Sequence, residues 1–255
     1  MKADQLLKDY LVSRLITFDK TVDGYGKIFY QTNEDLIDQY LDVDFKDKDV
    51  LSVLASGDQV FTSRFLEARK TDAFDFNRLS LYYFYLRIWA IEYRNKLYPQ
   101  ILDGDNTWLM SLLKMVHPKT KEEEQALKFF KMHVKEDTNL EKIFFDVYAQ
   151  PKGRTLFTKP EELEDCLSRD LNYYPVDLFK KFYISTTYDI VLISNILEWA
   201  KNDPEKLKIA HDNLSRLTNK DGVVICSNLI YRGPQELQQE RKIFEDFEFE
   251  KTDSG

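Results

Sequence analysis

Four consecutive apolar residues, Ile190, Val191, Leu192 and Ile193 in "YDIVLISNILEWA", constrain this chain more than any other feature. A surface helix shows apolar residues every three or four positions, and a strand with one wet face alternates. An unbroken run in a strand requires burial on both faces, as in a parallel sheet covered by helices on either side. "VVICSNLIY" at 223–231 reads as a second fully apolar strand.

The rest of the chain supplies the other parts of such a sheet. "DVLSVL" at 49–54 reads as the first strand and "KTDAFDFN" at 70–77 as the second, ending on Asp75 and Asn77. "LNYYPVDLF" at 171–179 reads as a strand closing on Asp177. Between them lie helical patterns: "VFTSRFLEA", the aromatic-rich "RLSLYYFYLRIWAIEYRNKL", and "DPEKLKIAHDNLSRLTNKDG" with Gly222 as its stop. Helical spacing also marks residues 4–18 and "TNEDLIDQYL" at 32–41. "TKPEELEDCL" starts a helix with Thr158 as N-cap, Pro160 in the first turn and Glu161 three residues after the cap. "PQELQQERKIFEDF" reads as a helix and "FEFEKT" at 247–252 as a last strand. Strands alternating with helices, joined by connections long enough for crossovers, make a doubly wound, mostly parallel, Rossmann-like α/β sheet. The expected organisation is an N-terminal helical segment over 1–45 and a ligand-binding domain over 46–255. Residues 101–155, mostly helical, are expected as an insert capping the carboxyl edge of the sheet.

In such sheets ligands collect at the carboxyl ends of the strands, where the strand order reverses. "VLSVLASGDQVF" at 50–61 runs from a buried strand into Ala55, Ser56, Gly57 and Asp58. These small residues let a ligand reach the backbone, and the following helix N-terminus favours a negative group. A glycine–aspartate pair after a strand is, by itself, an ordinary turn. Here Asp75 follows at the end of the next strand, where a carboxylate can take both hydroxyls of a ribose. Asp177 ends the third strand, and Ser194 with Asn195 ends the fourth. Four strand ends in this order point to a nucleoside-type ligand.

Composition narrows the partners. The 255 residues carry a formal net charge of −8, which disfavours duplex nucleic acid. The N-terminus lacks the apolar stretch of a signal peptide. No run approaches the roughly 20 apolar residues of a membrane span, so a cytoplasmic protein is the expectation. Cys166 and Cys226 are expected as two buried, reduced thiols. His117, His133 and His211 have no metal-ligand spacing, and no metal is expected. The aromatics of "LYYFYLRIWAIEYR" are expected in the core rather than stacked on bases. "KTKEEEQALKFFKMHVKE" mixes charges as a solvated face or a lid over the site would.

These residues resemble class I S-adenosylmethionine-dependent methyltransferases. "DVLSVLASGDQ" stands at the place of that family's glycine-rich first motif, "AFDFN" at its ribose-binding acid, and "YPVDLF" and "YDIVLISNILEW" at its third and fourth motifs. The resemblance covers 46–100 and 170–250. The first motif departs from the usual form, with Ser52 in place of an acid and a single glycine, Gly57. This "S-G-D" version is similar to betaine-lipid synthases, which move the 3-amino-3-carboxypropyl arm of the same cofactor. The resemblance implies that Ala55, Ser56 and Gly57 line the methionine and ribose side with Asp58 nearby. It implies that Asp75 holds the ribose, with Phe76 and Asn77 beside it. Asp177 would accept from the adenine amino group with Leu178 beside the ring, and Ser194 and Asn195 would face the sulfonium. No residue declares itself a catalytic base. "GYGKIFYQTNED" makes Tyr30, Asn33 and Glu34 further candidates, with a loop-to-helix cap as the equal alternative. "SNIL" is not the motif of amino-methylating nucleic-acid enzymes. The implied function is a transferase acting on a small molecule or lipid. Its alternatives are aminocarboxypropyl transfer and a non-catalytic relative. The resembled fold ends in a two-stranded hairpin, and this chain has one strand there. Direct pairing of 247–252 with 223–231 is expected, or else an open edge that a second copy could cover as a homodimer.

Overall fold

The computed structural model describes residues 36, 40, 42–102, 107–133, 166–200 and 203–226. They form two compact units, one of residues 36–76 and 166–226 and one of residues 77–133. The first holds a sheet of five parallel strands: β1 (Asp49–Val53), β2 (Lys70–Phe74), β3 (Tyr173–Tyr174), β4 (Tyr188–Ser194) and β5 (Thr218–Cys226). Their order is β3-β2-β1-β4-β5. The chain steps outward from β1 through β2 to β3, then returns to the other side of β1. The order therefore reverses between β1 and β4.

The apolar run of β4 lies where both faces are covered. Val191 and Ile193 join Leu51 and Val53 on one face, packed with Leu207, Ala210, Leu214 and Leu217. Ile190 and Leu192 join Val50 on the other, packed with Leu36, Tyr40 and Phe45. Leu36 and Tyr40 are helical. Burying each such side chain contributes about 1.5–3 kcal/mol. The run of four thus contributes about as much as the whole net stability of a typical domain. The fold is the expected doubly wound, Rossmann-like α/β architecture.

Helix α1 (Asp58–Phe65) follows β1, and α5 (Pro204–Leu217) joins β4 to β5. Asp203 caps α5 by accepting from the Lys206 backbone N–H at 3.1 Å, with Pro204 in the first turn. The expectation that this helix runs to Gly222 is corrected. It ends at Leu217, because Thr218 takes extended backbone and pairs with Tyr188. Gly222 lies inside β5, where the register jumps from Tyr188–Thr218 to Ile190–Val223. A Cβ on Gly222 would stand 2.9 Å from the Asp189 carbonyl and 2.8 Å from Thr218 Cγ2. The glycine therefore serves close backbone approach at a bulge.

The second unit packs α2 (Arg78–Leu102) against α3 (Thr107–Met115) and α4 (Lys121–His133). Tyr82, Tyr83, Phe84, Tyr85 and Trp89 of α2 are buried, so the aromatic stripe is core. On α4 a stripe of Ala126, Leu127, Phe129 and Phe130 is buried beside the solvated charges of Lys121, Glu122 and Lys131. Thr120 caps α4, and the buried Glu123 accepts from Trp89 Nε1 at 3.3 Å and from the Lys119 N–H at 3.2 Å.

Cys166 is buried, but Cys226 is only half-buried, which corrects the expectation of two buried thiols. Among the described residues, no helix is long and apolar enough to cross a membrane, and no group of His, Cys, Asp or Glu is arranged to hold a metal. The helix at 4–18, most of 32–41, the cap at Thr158, and the elements expected over 227–252 lie outside the described residues.

Candidate functional site

The site begins where β1 ends. Leu54 N–H still donates to the Phe74 carbonyl, at 2.9 Å. Then Ala55 turns into the left-handed region at φ 42° and Gly57 follows at φ 88°. Glycine adopts that conformation freely, whereas alanine adopts it at a cost of about 1–2 kcal/mol. The turn is held by Asp75, whose Oδ2 accepts from the Ala55 N–H at 3.0 Å. A hydrogen bond to a charged group contributes about 1.5–3 kcal/mol, enough to offset the strain.

A second carboxylate stands on the other side of the turn. Asp58, 2% exposed, is the first residue of α1. Its Oδ2 accepts from Ser56 Oγ at 2.6 Å, and its carbonyl accepts from Thr62 Oγ1 at 2.8 Å. The positive end of α1 is thus faced by the chain's own carboxylate. The expectation that this turn bares its backbone is corrected. Ala55 is half-buried, and Ser56 and Gly57 are buried. The Ala55 and Gly57 N–H groups already donate to Asp75 and to the Leu54 carbonyl, so the turn lies between two acids.

Asp75, 9% exposed, is gripped at the end of β2 by both residues of β3. Its N–H donates to the Tyr174 carbonyl at 3.1 Å, and its carbonyl accepts from Tyr173 Oη at 2.7 Å. Phe76 beside it is 59% exposed. Asn77 belongs to the helical unit, and its Oδ1 accepts from the Leu79 N–H at 3.2 Å, capping α2.

The expected third strand needs correction. It ends at Tyr174 instead of reaching Asp177. Pro175 has no N–H to extend the ladder, and Val176 N–H bonds back to the Tyr174 carbonyl at 2.9 Å. Asp177 stands in the turn beyond. Its Oδ1 accepts from the Phe179 N–H at 3.0 Å and its Oδ2 pairs with Lys180 at 3.2 Å. Leu178 is buried. Helix α5 fixes this loop. Asn213 Nδ2 donates to the carbonyls of Leu178 at 2.8 Å and Lys180 at 2.9 Å. Arg216 donates to Asn213 Oδ1 and, at 2.8 Å, to the Phe182 carbonyl.

At the end of β4, Ser194 is again left-handed, at φ 52°. It pairs with Cys226 at the end of β5. Asn195 follows, and a 3-10 turn over Ile196–Ala200 presents Trp199 on the surface.

Beneath this edge lies a buried polar network. Asp72 Oδ2 accepts from Tyr188 Oη at 2.8 Å and pairs with Lys70 Nζ at 2.7 Å. Tyr174 Oη stands 3.3 Å from Tyr188 Oη. Burial, reinforced by the bonds to Tyr174 and Asp72, holds the Tyr188 phenol far above its ordinary value. It stays protonated and donates to Asp72.

The structure therefore joins Ala55, Ser56, Asp58 and Asp75 in one bonded corner, and sets Asp177 and Leu178 on the clamped loop after β3. Ser194 and Asn195 end β4, on the far side of β1. Asn77 is a helix cap, and Tyr30, Asn33 and Glu34 lie outside the described residues. Sequence reasoning missed Tyr173, Asn213 and Arg216. Only the alternation of Tyr173 with Tyr174 hinted that one hydroxyl would turn toward Asp75. No protein-family model matches the chain, and no curated protein matches it.

Proposed function

We propose that the carboxyl edge of this sheet binds S-adenosylmethionine, and that the chain is a transferase, a methyltransferase acting on a small molecule or lipid. The observation that carries this reading is the corner of β1 and β2, where Asp75 and Asp58 flank a small, strained turn. A Rossmann-like corner that takes a pyrophosphate presents uncharged amides to it. At an effective dielectric of about 20, a unit charge about 5 Å from a carboxylate gains or loses about 3 kcal/mol. That sum disfavours a dinucleotide and favours a nucleoside with a cationic arm. The sulfonium is such a cation, and it supplies an already activated carbon.

The chain's own residues then hold and align. Asp75 accepts from the ribose hydroxyls, Phe76 covers an adenine face, and the Asp177–Leu178 loop meets the adenine edge. Ser194 and Asn195 face the reacting end. The protein's contribution is proximity and orientation.

The test is calorimetry and thermal shift with S-adenosylhomocysteine, S-adenosylmethionine, NAD and ATP. Stabilisation by the first two alone is the expected result. Stabilisation by NAD or ATP without the adenosyl thioether overturns the reading. Product mass after incubation with candidate acceptors separates methyl transfer from aminocarboxypropyl transfer, and no product with any acceptor leaves a binding protein.

A further inference from the structure

We infer that Tyr173 is a positioning residue of this site, setting the aim of the Asp75 carboxylate through a hydrogen bond to its backbone. The inference rests on the cofactor reading above and names a residue to which neither the sequence reasoning nor the resemblance assigns a part.

Asp75 is the first residue past the end of β2. At that point the ladder no longer holds the chain, and a strand end frays unless something ties it. Tyr173 Oη donates to the Asp75 carbonyl at 2.7 Å, while the Tyr174 carbonyl takes the Asp75 N–H at 3.1 Å. The residue is thus held on both sides of its Cα, so its side chain leaves the backbone in one direction. That direction brings Oδ2 to the Ala55 N–H. A carboxylate has about four lone-pair positions, so holding the turn is compatible with accepting from a ligand diol. One hydroxyl on β3 therefore fixes both the strained turn and the acid that meets the ribose.

The adjacent tyrosine provides an internal control. Successive side chains of a strand point to opposite faces. Tyr174 Oη accordingly lies 3.5 Å from Asp72 Oδ2 and 3.3 Å from Tyr188 Oη, away from Asp75. Two neighbouring hydroxyls thus make separate contacts, one at the site and one in the core.

The experiment is calorimetry with S-adenosylhomocysteine and its 2′,3′-dideoxy analogue on the wild-type chain, Tyr173→Phe, Tyr174→Phe, Asp75→Asn and the Tyr173→Phe/Asp75→Asn double variant. Tyr173→Phe is expected to weaken the ribose ligand by about fivefold to tenfold, the size of one hydrogen bond. It should leave the dideoxy ligand within about twofold, since that ligand makes no use of the acid. In the Asp75→Asn background the same change should add less than about twofold. Tyr174→Phe should leave both affinities unchanged. Should Tyr173→Phe lower the melting point of the free protein, the ratio of the two affinities still decides, because loss of folded protein scales both alike. Equal weakening of both ligands, no weakening of either, or the same loss in Tyr174→Phe overturns the inference and leaves the cofactor reading standing. A wild-type chain that binds neither ligand overturns both.

Discussion

Replacing Asn213 with alanine tests whether α5 holds the loop that follows β3. Asn213 is 1% exposed. Its amide makes two bonds to the loop, to the carbonyls of Leu178 and Lys180. Each net hydrogen bond contributes about 0.5–1.5 kcal/mol, and stripping the buried Leu178 carbonyl adds about 1–3 kcal/mol. Arg216 keeps its bond to the Phe182 carbonyl, and the total loss is about 2–6 kcal/mol. For a chain of this size each kcal/mol lowers Tm by about 2–4 °C, giving a fall of about 4–24 °C. Hydrogen exchange at the Phe179 and Lys180 amides should accelerate, because both bond to Asp177 within the clamped loop. Asn213→Leu fills the volume without donating, and should be nearly as unstable as alanine. Asn213→Asp keeps a partner for Arg216 but turns an acceptor toward two carbonyls. It should be the least stable at neutral pH, and should recover in part as the pH falls toward about 4, since a carboxyl facing two carbonyls takes up its proton more readily in the fold than in the unfolded chain and can then donate. A leucine variant as stable as wild type would refute the argument, since packing rather than hydrogen bonding would then hold the loop.

Three further outcomes follow from the same contacts. Asp75→Ala removes the acceptor for Ala55 and for the proposed ribose, and S-adenosylhomocysteine affinity should fall by about 1.5–3 kcal/mol per lost bond, read by calorimetry; unchanged affinity sinks the ribose assignment. Tyr188→Phe removes the 2.8 Å donor to buried Asp72 and should cost about 1–3 kcal/mol in urea unfolding, with no change in ligand affinity if the network is purely structural. Asp189 is held below its ordinary value by the Asp49 backbone N–H at 2.9 Å and then by Asn219 at 2.8 Å. A depressed carboxyl stabilises the fold above its unfolded value, about pH 4, and that stability is lost as pH falls through the lower folded value. Asp189→Asn should therefore flatten the stability–pH curve below about pH 4, and an unaltered curve would remove Asp189 from the account.

The architecture was legible because it rests on patterns local to the chain. Ile190 to Ile193 announce burial on both faces, and the two faces are covered by different apolar sets. The turn at Ala55–Asp58 and the acid at Asp75 were legible for the same reason. What local pattern could not give is pairing at a distance. Pro175 ended β3 after two residues, although the apolar and aromatic neighbours on either side read as one longer strand. Gly222 read as a helix stop because the polar stretch "TNKD" before it hides a bulge. That bulge is held by Asn219 on Asp189, 30 residues away in sequence. Tyr173 meets Asp75 across 98 residues, and Arg216 meets Phe182 across 34. Each of these is a side chain holding a loop or a strand end, and residue type alone does not reveal which loop it will hold.

Left-handed backbone occurs at both edges of the sheet, at Asp47 and Glu67 before β1 and β2 and at Ala55 and Ser194 after β1 and β4. At the amino edge, charges are satisfied by neighbours. Arg69 meets both carboxylate oxygens of Asp49, at 2.9 and 2.8 Å, and Asp189 takes the Asp49 N–H and Asn219. At the carboxyl edge, the ends of β1 and β4 carry Ala55 and Ser194 in the left-handed region. Each costs about 1–2 kcal/mol, together a sizeable share of a typical net stability of about 5–15 kcal/mol. Glycine would remove that cost at either place. Strain of this kind persists where the surroundings over-determine it, and it gathers at ligand sites. At the carboxyl edge the two strained residues, Ala55 and Ser194, flank the point where strand order reverses, the crevice in which open parallel sheets bind their ligands. Asp75 over-determines the first of the two turns through its bond to Ala55. On the proposed reading, the same carboxylate that stabilises the strained backbone would also meet the ligand, so that stability and recognition would converge on one residue.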